Sequence, residues 1–287
     1  MKYAVIGAAG QLGRDLCPVL KGDVVPLSRQ EADVTAADLL ETTLRGLRPD
    51  VVINCAAYNF VDLAETEPES AFATNAWGVR NLARTCRELG CLLVHFSTDY
   101  VFGLDESRRT PYREEDAPGP VSAYGLSKLA GEYLLRATAP GHILIRTCGL
   151  YGVWGSGGKG GNFVETMLRL GGQGKPLRVV SDQFCTPSYT KDIASAAAAL
   201  IATGSPGLYH LTNSGSCSWH QFASKIFQLA GLKVDVTPIS GAEYGAPARR
   251  PPYSVLAMDA LARTGVAVPR SWDSAVEAYL RERRKRA

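Results

Sequence analysis

Two periodicities alternate along the first half of the chain. Residues 3–6 (YAVI) form a short apolar run stopped by Gly7, and Leu12, Leu16 and Leu20 then recur every four residues, as along one face of a helix. This predicts a strand, a glycine turn and a helix over 11–20. The alternation continues with strands over 24–27, 51–55 and 91–97 and helices over 36–47 and 68–89. After a long polar stretch come a helix over 123–136 and a strand over 142–147. These strands read as unbroken Val/Ile/Leu runs, so both faces of their sheet must be covered. The expected fold is α/β, a Rossmann-type doubly wound parallel sheet.

From Gly149 the alternation lapses. Residues 151–161 (YGVWGSGGKGG) hold six glycines in eleven positions and read as a loop. Its Lys159-Gly160 pair is not followed by Ser or Thr and no strand feeds it, so it is not a phosphate-binding P-loop. Beyond it the pattern gives helices over 163–170, 192–202 and 218–230 and strands over 177–180 and 207–211. The expected division is a nucleotide-binding domain of residues 1–148, with returns near 188–211, and a smaller C-terminal substrate-binding lobe of residues 149–187 and 212–287. No internal repeat is evident.

Composition narrows the function classes. With 287 residues, 46% hydrophobic and 21% charged, the chain can bury a core without staples. Its net charge is +3, but residues 281–287 (RERRKRA) carry five cations and one anion, which leaves the rest at −1. That argues against a nucleic-acid partner and for a small-molecule one, with the tail a solvated helix end. Seven cysteines at 17, 55, 86, 91, 148, 185 and 217 contain no C-x-x-C pair and fit reduced thiols. The N-terminus breaks into glycines after six residues, and no apolar run approaches about 18 residues. No export or membrane segment is expected, and the location expected is cytoplasmic.

Gly7, Gly10 and Gly13 lie between the first strand and the first helix, where glycines let the backbone approach a pyrophosphate. The second strand ends in Ser28-Arg29, where an NAD-binding site would carry an acidic residue. Arg29 can pair with a 2′-phosphate, which favours NADP over NAD. Asp33-Val34 follow, within reach of an adenine. Tyr124 and Lys128 are one helical turn apart, so Lys128 is expected to lower the tyrosine pKa and make Tyr124 a proton donor. Upstream, Thr98 and Asp99 sit at the carboxyl end of a strand, where open α/β sheets bind ligands. His95, His142, His210 and His220 are far apart and read as packing residues, so no metal is expected.

Thr98, Tyr124 and Lys128 together resemble the triad of the extended short-chain dehydrogenase/reductase superfamily. Within it, the chain is similar to the dTDP-4-dehydrorhamnose reductase family in GAAGQLG at 7, INCAAYNFVDLAETEPESAFATN at 53, HFSTDYVF at 95, PYREED at 111 and YGLSKLAGE at 124. The similarity runs on through GGNFVETMLRL at 160, VSDQFCTPSYTKDIA at 180, GLYHLTNSG at 207 and ARRPPYS at 248, and so covers nearly the whole chain. The resemblance implies that Gly10, Gln11, Leu12, Ser28, Asp33, Val34, Ala56, Ala57, Tyr58 and Phe96 line NADP. It further implies sugar contacts from Thr98, Asp99 and Asn162, and diphosphate anchoring by Arg249 or Arg250 ahead of Pro251-Pro252.

The chemistry implied is hydride delivery from NADPH to the C4 ketone of a nucleotide-linked 4-keto-6-deoxyhexose, most closely dTDP-4-dehydro-L-rhamnose. Tyr124 would protonate the alkoxide, Thr98 would hydrogen-bond it, and Lys128 would hold the nicotinamide ribose. One departure stands out. Where the family commonly has R-T-S-W-x-Y, this chain reads Arg146-Thr147-Cys148-Gly149-Leu150-Tyr151. A different ketosugar, or an aromatic such as Trp154, would account for the lost stacking residue. A sister 4-epimerase or 4,6-dehydratase is a rival, although a dehydratase would need Glu where Tyr100 stands. A non-catalytic protein like the regulatory β subunit of methionine adenosyltransferase is another, and a homodimer stays open.

Overall fold

The computed structural model describes residues 1–139, 141–155 and 161–286. The Lys159-Gly160 pair lies outside them. The first half runs β1 (Lys2–Ile6), α1 (Gln11–Leu16), β2 (Asp23–Leu27), α2 (Ala37–Leu47), β3 (Val51–Asn54), α3 (Pro68–Phe72), α4 (Gly78–Leu89), β4 (Leu92–Thr98), α5 (Ala123–Thr138) and β5 (His142–Thr147). The second runs β6 (Leu150–Tyr151), α6 (Phe163–Gly171), β7 (Leu177–Val180), β8 (Phe184–Cys185), β9 (Ser188–Tyr189), α7 (Thr190–Thr203), β10 (Gly207–His210), β11 (Cys217–Ser218), α8 (Trp219–Ala230), β12 (Val236–Ile239), α9 (Gly241–Tyr244), α10 (Asp259–Arg263) and α11 (Trp272–Arg286).

Six strands form one parallel sheet in the order β10-β5-β4-β3-β1-β2. Their side chains alternate between two cores. Tyr3, Val5, Val51, Ile53, Val94, Ile143 and Ile145 pack with Leu12 and Leu16 of α1 and Ile193, Ala197 and Leu200 of α7. Ala4, Ile6, Val52, Leu93 and Leu144 pack with Leu40 and Leu44 of α2, Val79 and Leu82 of α4 and Leu135 of α5. The apolar runs are unbroken because each strand feeds both layers. A third cluster joins Tyr151, Val164, Met167, Phe222, Ile226, Val276 and Tyr279, and so ties α6, α8 and α11 together.

Three expectations need correction. The helix expected over 11–20 stops at Leu16, and a 3-10 turn spans Cys17–Val19, because Pro18 cannot donate to an α-helical ladder. The helix expected over 68–89 is interrupted by a π-turn at Ala73–Trp77. That turn carries Asn75, whose amide accepts from Tyr58 N (2.9 Å) and donates to Tyr58 O (2.9 Å) and Ser127 Oγ (3.0 Å). The basic tail is not merely solvated. It is the last turn of α11, where Arg283 pairs with Glu165 (2.7 Å) and the Arg286 guanidinium lies 3.9 Å from the Trp154 ring centre.

Candidate active site

The strand order reverses between β1 and β3, which opens a crevice at their carboxyl ends. Gly7 adopts a positive φ of 74°, and a Cβ there would sit 2.7 Å from Ala56 N. At Gly13 a Cβ would lie 2.6 Å from Ala8 Cα, so this turn admits only glycine at both positions. Beside it is a cavity of about 200 Å³, lined by Gly7, Arg29, Asp33, Val34, Ala56, Ala57 and Tyr58 among others. Gly10 precedes α1, and Gln11 donates from Nε2 to Leu150 O (3.0 Å) while its buried Oε1 has no protein partner. Leu12 and Phe96 belong to the core beneath. Helix α1 is only six residues long, so the fit to a dinucleotide rests on the glycine turn and the cavity more than on a helix dipole.

The turn after β2 is more acidic than the Ser28-Arg29 pair suggested. Ser28 donates both its N–H (2.8 Å) and its Oγ–H (2.6 Å) to Glu31, and Arg29 Nε pairs with Asp33 at 2.9 Å. Glu31 escaped the sequence reading, although a carboxylate three residues after a turn serine is a local signal. Both pairs are in solvent and so open to exchange for a phosphate.

Thr98 ends β4, and Tyr124 follows the Ser122 cap of α5, whose Oγ accepts from Gly125 N (3.2 Å). A Cβ on Gly125 would lie 2.3 Å from Tyr100 O, so glycine lets the helix start close to the strand end. The Tyr124 hydroxyl thereby comes to face Thr98. The expected effect of Lys128 on Tyr124 is not seen. Burial pushes the phenol up to about 12, with the contact to Thr98 opposing it and no contribution from Lys128. Lys128 instead donates to Phe96 O at 2.7 Å and lies 3.4 Å from His95 Nε2, 1% exposed. Its own pKa is pushed down to about 8 by burial.

Asp99 is 2% exposed and accepts from Ser254 Oγ (2.5 Å), Cys148 Sγ (3.0 Å) and Thr98 Oγ1 (3.2 Å). Burial raises its pKa against these donors. It thus joins the strand end to residue 254, more than a hundred positions away. One turn beyond Lys128, Glu132 holds Arg146 of β5 (2.7 Å) and accepts from Ser97 Oγ (2.6 Å), which fixes α5 across the sheet.

The other expected substrate contacts are occupied by protein groups. Arg250 makes a bidentate pair with Asp62 (2.6 and 2.8 Å), and Arg249 pairs with Glu106. Asn162 caps α6, accepting from Glu165 N (3.1 Å) and donating to Gly152 O (2.9 Å). Trp154 does not stand in for the missing aromatic. Its Nε1 donates to Asp15 (2.8 Å), and the Arg14 and Arg286 guanidinium groups lie 5.2 and 3.9 Å from its ring centre. Trp219 is the aromatic at that position, with Cη2 3.5 Å from where a Cβ of residue 149 would be. Asp62, Ser254 and Trp219 carried no local signal, because only the folded chain brings them to these partners.

The RmlD substrate binding domain family matches residues 1–285 of the chain. A dTDP-4-dehydrorhamnose reductase of Sinorhizobium fredii is 39% identical over 95% of this chain and 94% of its own. A probable dTDP-4,6-dihydroxy-2-methyloxan-3-one 4-ketoreductase of Streptomyces antibioticus is 41% identical over 96% of this chain and 93% of its own. The dTDP-4-dehydrorhamnose reductase of Bacillus anthracis, solved in complex with NADP, superposes with a TM-score of 0.92 at 39% identity, covering 98% of this chain and 99% of that one.

Proposed function

The chain belongs to the RmlD substrate binding domain family, and on that premise we propose that it reduces the C4 ketone of a nucleotide-linked 4-keto-6-deoxyhexose with NADPH. dTDP-4-dehydro-L-rhamnose is the substrate that fits best, with dTDP-L-rhamnose as product. The protein is an NAD(P)-dependent oxidoreductase of Rossmann fold. The observation that carries the reading is Thr98 at the end of β4 and Tyr124 in the first turn of α5, at the same carboxyl edge of the sheet as the dinucleotide cavity.

NADPH, when bound, supplies the hydride. Gly7, Gly10 and Gly13 give its pyrophosphate a close backbone approach, while Arg29 and Ser28 meet the 2′-phosphate once Asp33 and Glu31 release them. Tyr124, protonated throughout the neutral range, donates its proton to the forming C4 alkoxide, and Thr98 hydrogen-bonds the same oxygen. Lys128, one turn along α5, holds the nicotinamide ribose. Residues 1–148 with the return near 188–211 carry the dinucleotide, and 149–187 with 212–287 carry the nucleotide sugar. Arg250 anchors the diphosphate by exchanging Asp62 for it.

A second reading, a reductase for another nucleotide 4-ketosugar, is favoured by Gly149 with Trp219 beside it. The deciding experiment follows NADPH absorbance with dTDP-, UDP- and GDP-linked 4-keto-6-deoxyhexoses. Fastest turnover of dTDP-4-dehydro-L-rhamnose supports the first reading, and a faster alternative sugar supports the second. No turnover of any of them overturns both and leaves a non-catalytic binding role.

A further inference from the structure

His95 lies in the middle of β4, fully buried, and the sequence reading gave it only a packing role. Its surroundings fix more than its position. Ala56 N–H donates to Asn54 Oδ1 at 3.0 Å, so the oxygen of that amide is committed to the loop that lines the dinucleotide cavity. Asn54 Nδ2 is therefore the atom 3.0 Å from His95 Nδ1. An amide NH₂ can only donate, so Nδ1 must present its lone pair. Burial and Lys128 hold the imidazole well below its ordinary pKa, so it is neutral, and a neutral ring with a bare Nδ1 carries its proton on Nε2. The Nε2–H faces Lys128 Nζ at 3.4 Å.

An ammonium has three donors and no lone pair, so it cannot accept this N–H, whereas a neutral amine can. The contact is attractive in one protonation state of Lys128 and repulsive in the other. We infer that His95, with its tautomer set by Asn54, is a positioning residue that biases Lys128 toward the amine and aims it at the Phe96 carbonyl. The inference rests on the catalytic assignment of Lys128 under the proposed function. Its consequence is a Lys128 whose proton depends on the ring beside it.

The other ionisable groups around Lys128 leave the His95 contact in place. Glu132, on the same helix, favours the ammonium, but Arg146 of β5 already takes its carboxylate. His142, at the start of β5, acts on His95 in the same sense as Lys128. Tyr124 is uncharged through this range.

Two measurements on the full-length protein test the inference. Long-range ¹⁵N spectra of the histidine rings, with His95 assigned by its loss in His95→Asn, should show the Nε2–H tautomer. An Nδ1–H tautomer would overturn the inference. A ¹³Cε-lysine titration, with Lys128 assigned by Lys128→Met, should then give Lys128 a higher pKa in His95→Asn by about one unit. The asparagine keeps an acceptor for Asn54, but its shorter side chain places no N–H where Nε2 faces Lys128. The Lys128 limb of the kcat pH profile should move with it, while NADPH Kd stays within twofold. A folded His95→Asn protein whose Lys128 titrates as in the parent overturns the inference. If that variant does not fold, Asn54→Asp substitutes for it. An aspartate can bond Ala56 N–H with one oxygen and take a proton from Nδ1 with the other, which turns Nε2 into an acceptor and raises the Lys128 pKa. An unchanged tautomer in that variant is equally fatal. Failure of every ketosugar to turn over would overturn the proposed function while leaving both spectroscopic results standing.

Discussion

Lys128 and Arg29 are both cations assigned to the dinucleotide, yet Lys128 is 1% exposed and the Arg29 side chain is 83% exposed. Lys128 has its donors directed at a backbone carbonyl, and burial depresses its ammonium to about 8. Arg29 keeps a neighbouring carboxylate in open water, where such a pair contributes about 0.2 to 1 kcal/mol and yields easily to a better anion. The same contrast separates the buried Glu132–Arg146 pair from Arg250–Asp62, whose two side chains are 19% and 46% exposed. Under the proposed function, fixed groups at the sheet edge would set the chemistry, and exchangeable ones around it would set which anion is held.

If that division is right, effects should shrink from the sheet edge outward. Tyr124→Phe removes only the proton donor, and kcat should fall by roughly 10² to 10⁴ with NADPH binding intact. Retention of half the parent kcat, in an assay limited by chemistry, would dissolve the catalytic half of the comparison. Next is Glu132→Gln, which strands the Arg146 charge in the core. Urea unfolding should show a loss of about 3 to 5 kcal/mol, and a loss under 1 kcal/mol would mean that the pair is not the tie between α5 and β5.

His210 gives a pH test of the same buried layer. It is held neutral, with its pKa pushed from 6.5 down to about 3 by burial and by Arg146 beside it. Between those values the unfolded chain binds a proton that the folded chain refuses, so unfolding takes up that proton and stability falls as pH falls. His210→Gln should flatten the acid limb of stability below about pH 6.5, by up to about 1.4 kcal/mol per pH unit. An acid limb as steep as the parent's would locate the sensitivity elsewhere.

At the exchangeable rim the expected changes are smaller. Arg250→Ala should raise the KM of the nucleotide sugar by roughly tenfold and leave NADPH Kd alone, because a charge-assisted contact is replaced only after Asp62 gives way. A KM within threefold of the parent would make Arg250–Asp62 a purely internal tie. Arg29→Ala should weaken NADPH by roughly fivefold and NADH hardly at all. Equal losses for both would show that Arg29 does not sense the 2′-phosphate.

What the sequence disclosed, and what it hid, follows the same physics. The doubly wound sheet was legible because each of its strands is apolar on both faces, and period is a local property. Gly7, Gly10 and Gly13 and the Tyr124–Lys128 spacing were legible for the same reason. The π-turn at Ala73–Trp77 was not, because the helical period of residues 68–89 persists across it and the partner of its Asn75, Tyr58, lies seventeen residues upstream. The Tyr124 pKa was misjudged because spacing along a helix puts Lys128 on the right face without saying where its amine points. Asp62, Ser254 and Trp219 act only through partners brought close by the fold.

Gly149 constrains a position far away in the chain. Its backbone sits at φ +50°, and a Cβ placed there would lie 3.3 Å from Pro187 Cα and 3.5 Å from the Trp219 ring. A side chain at this position therefore strains a left-handed backbone and has to share space with Pro187 and Trp219. A Gly149→Trp substitution would have to undo a left-handed residue and evict a neighbouring indole at once. Positions 149 and 219 are thus coupled through space: a bulky side chain at 149 fits only beside a smaller one at 219, so the two have to be exchanged together rather than singly.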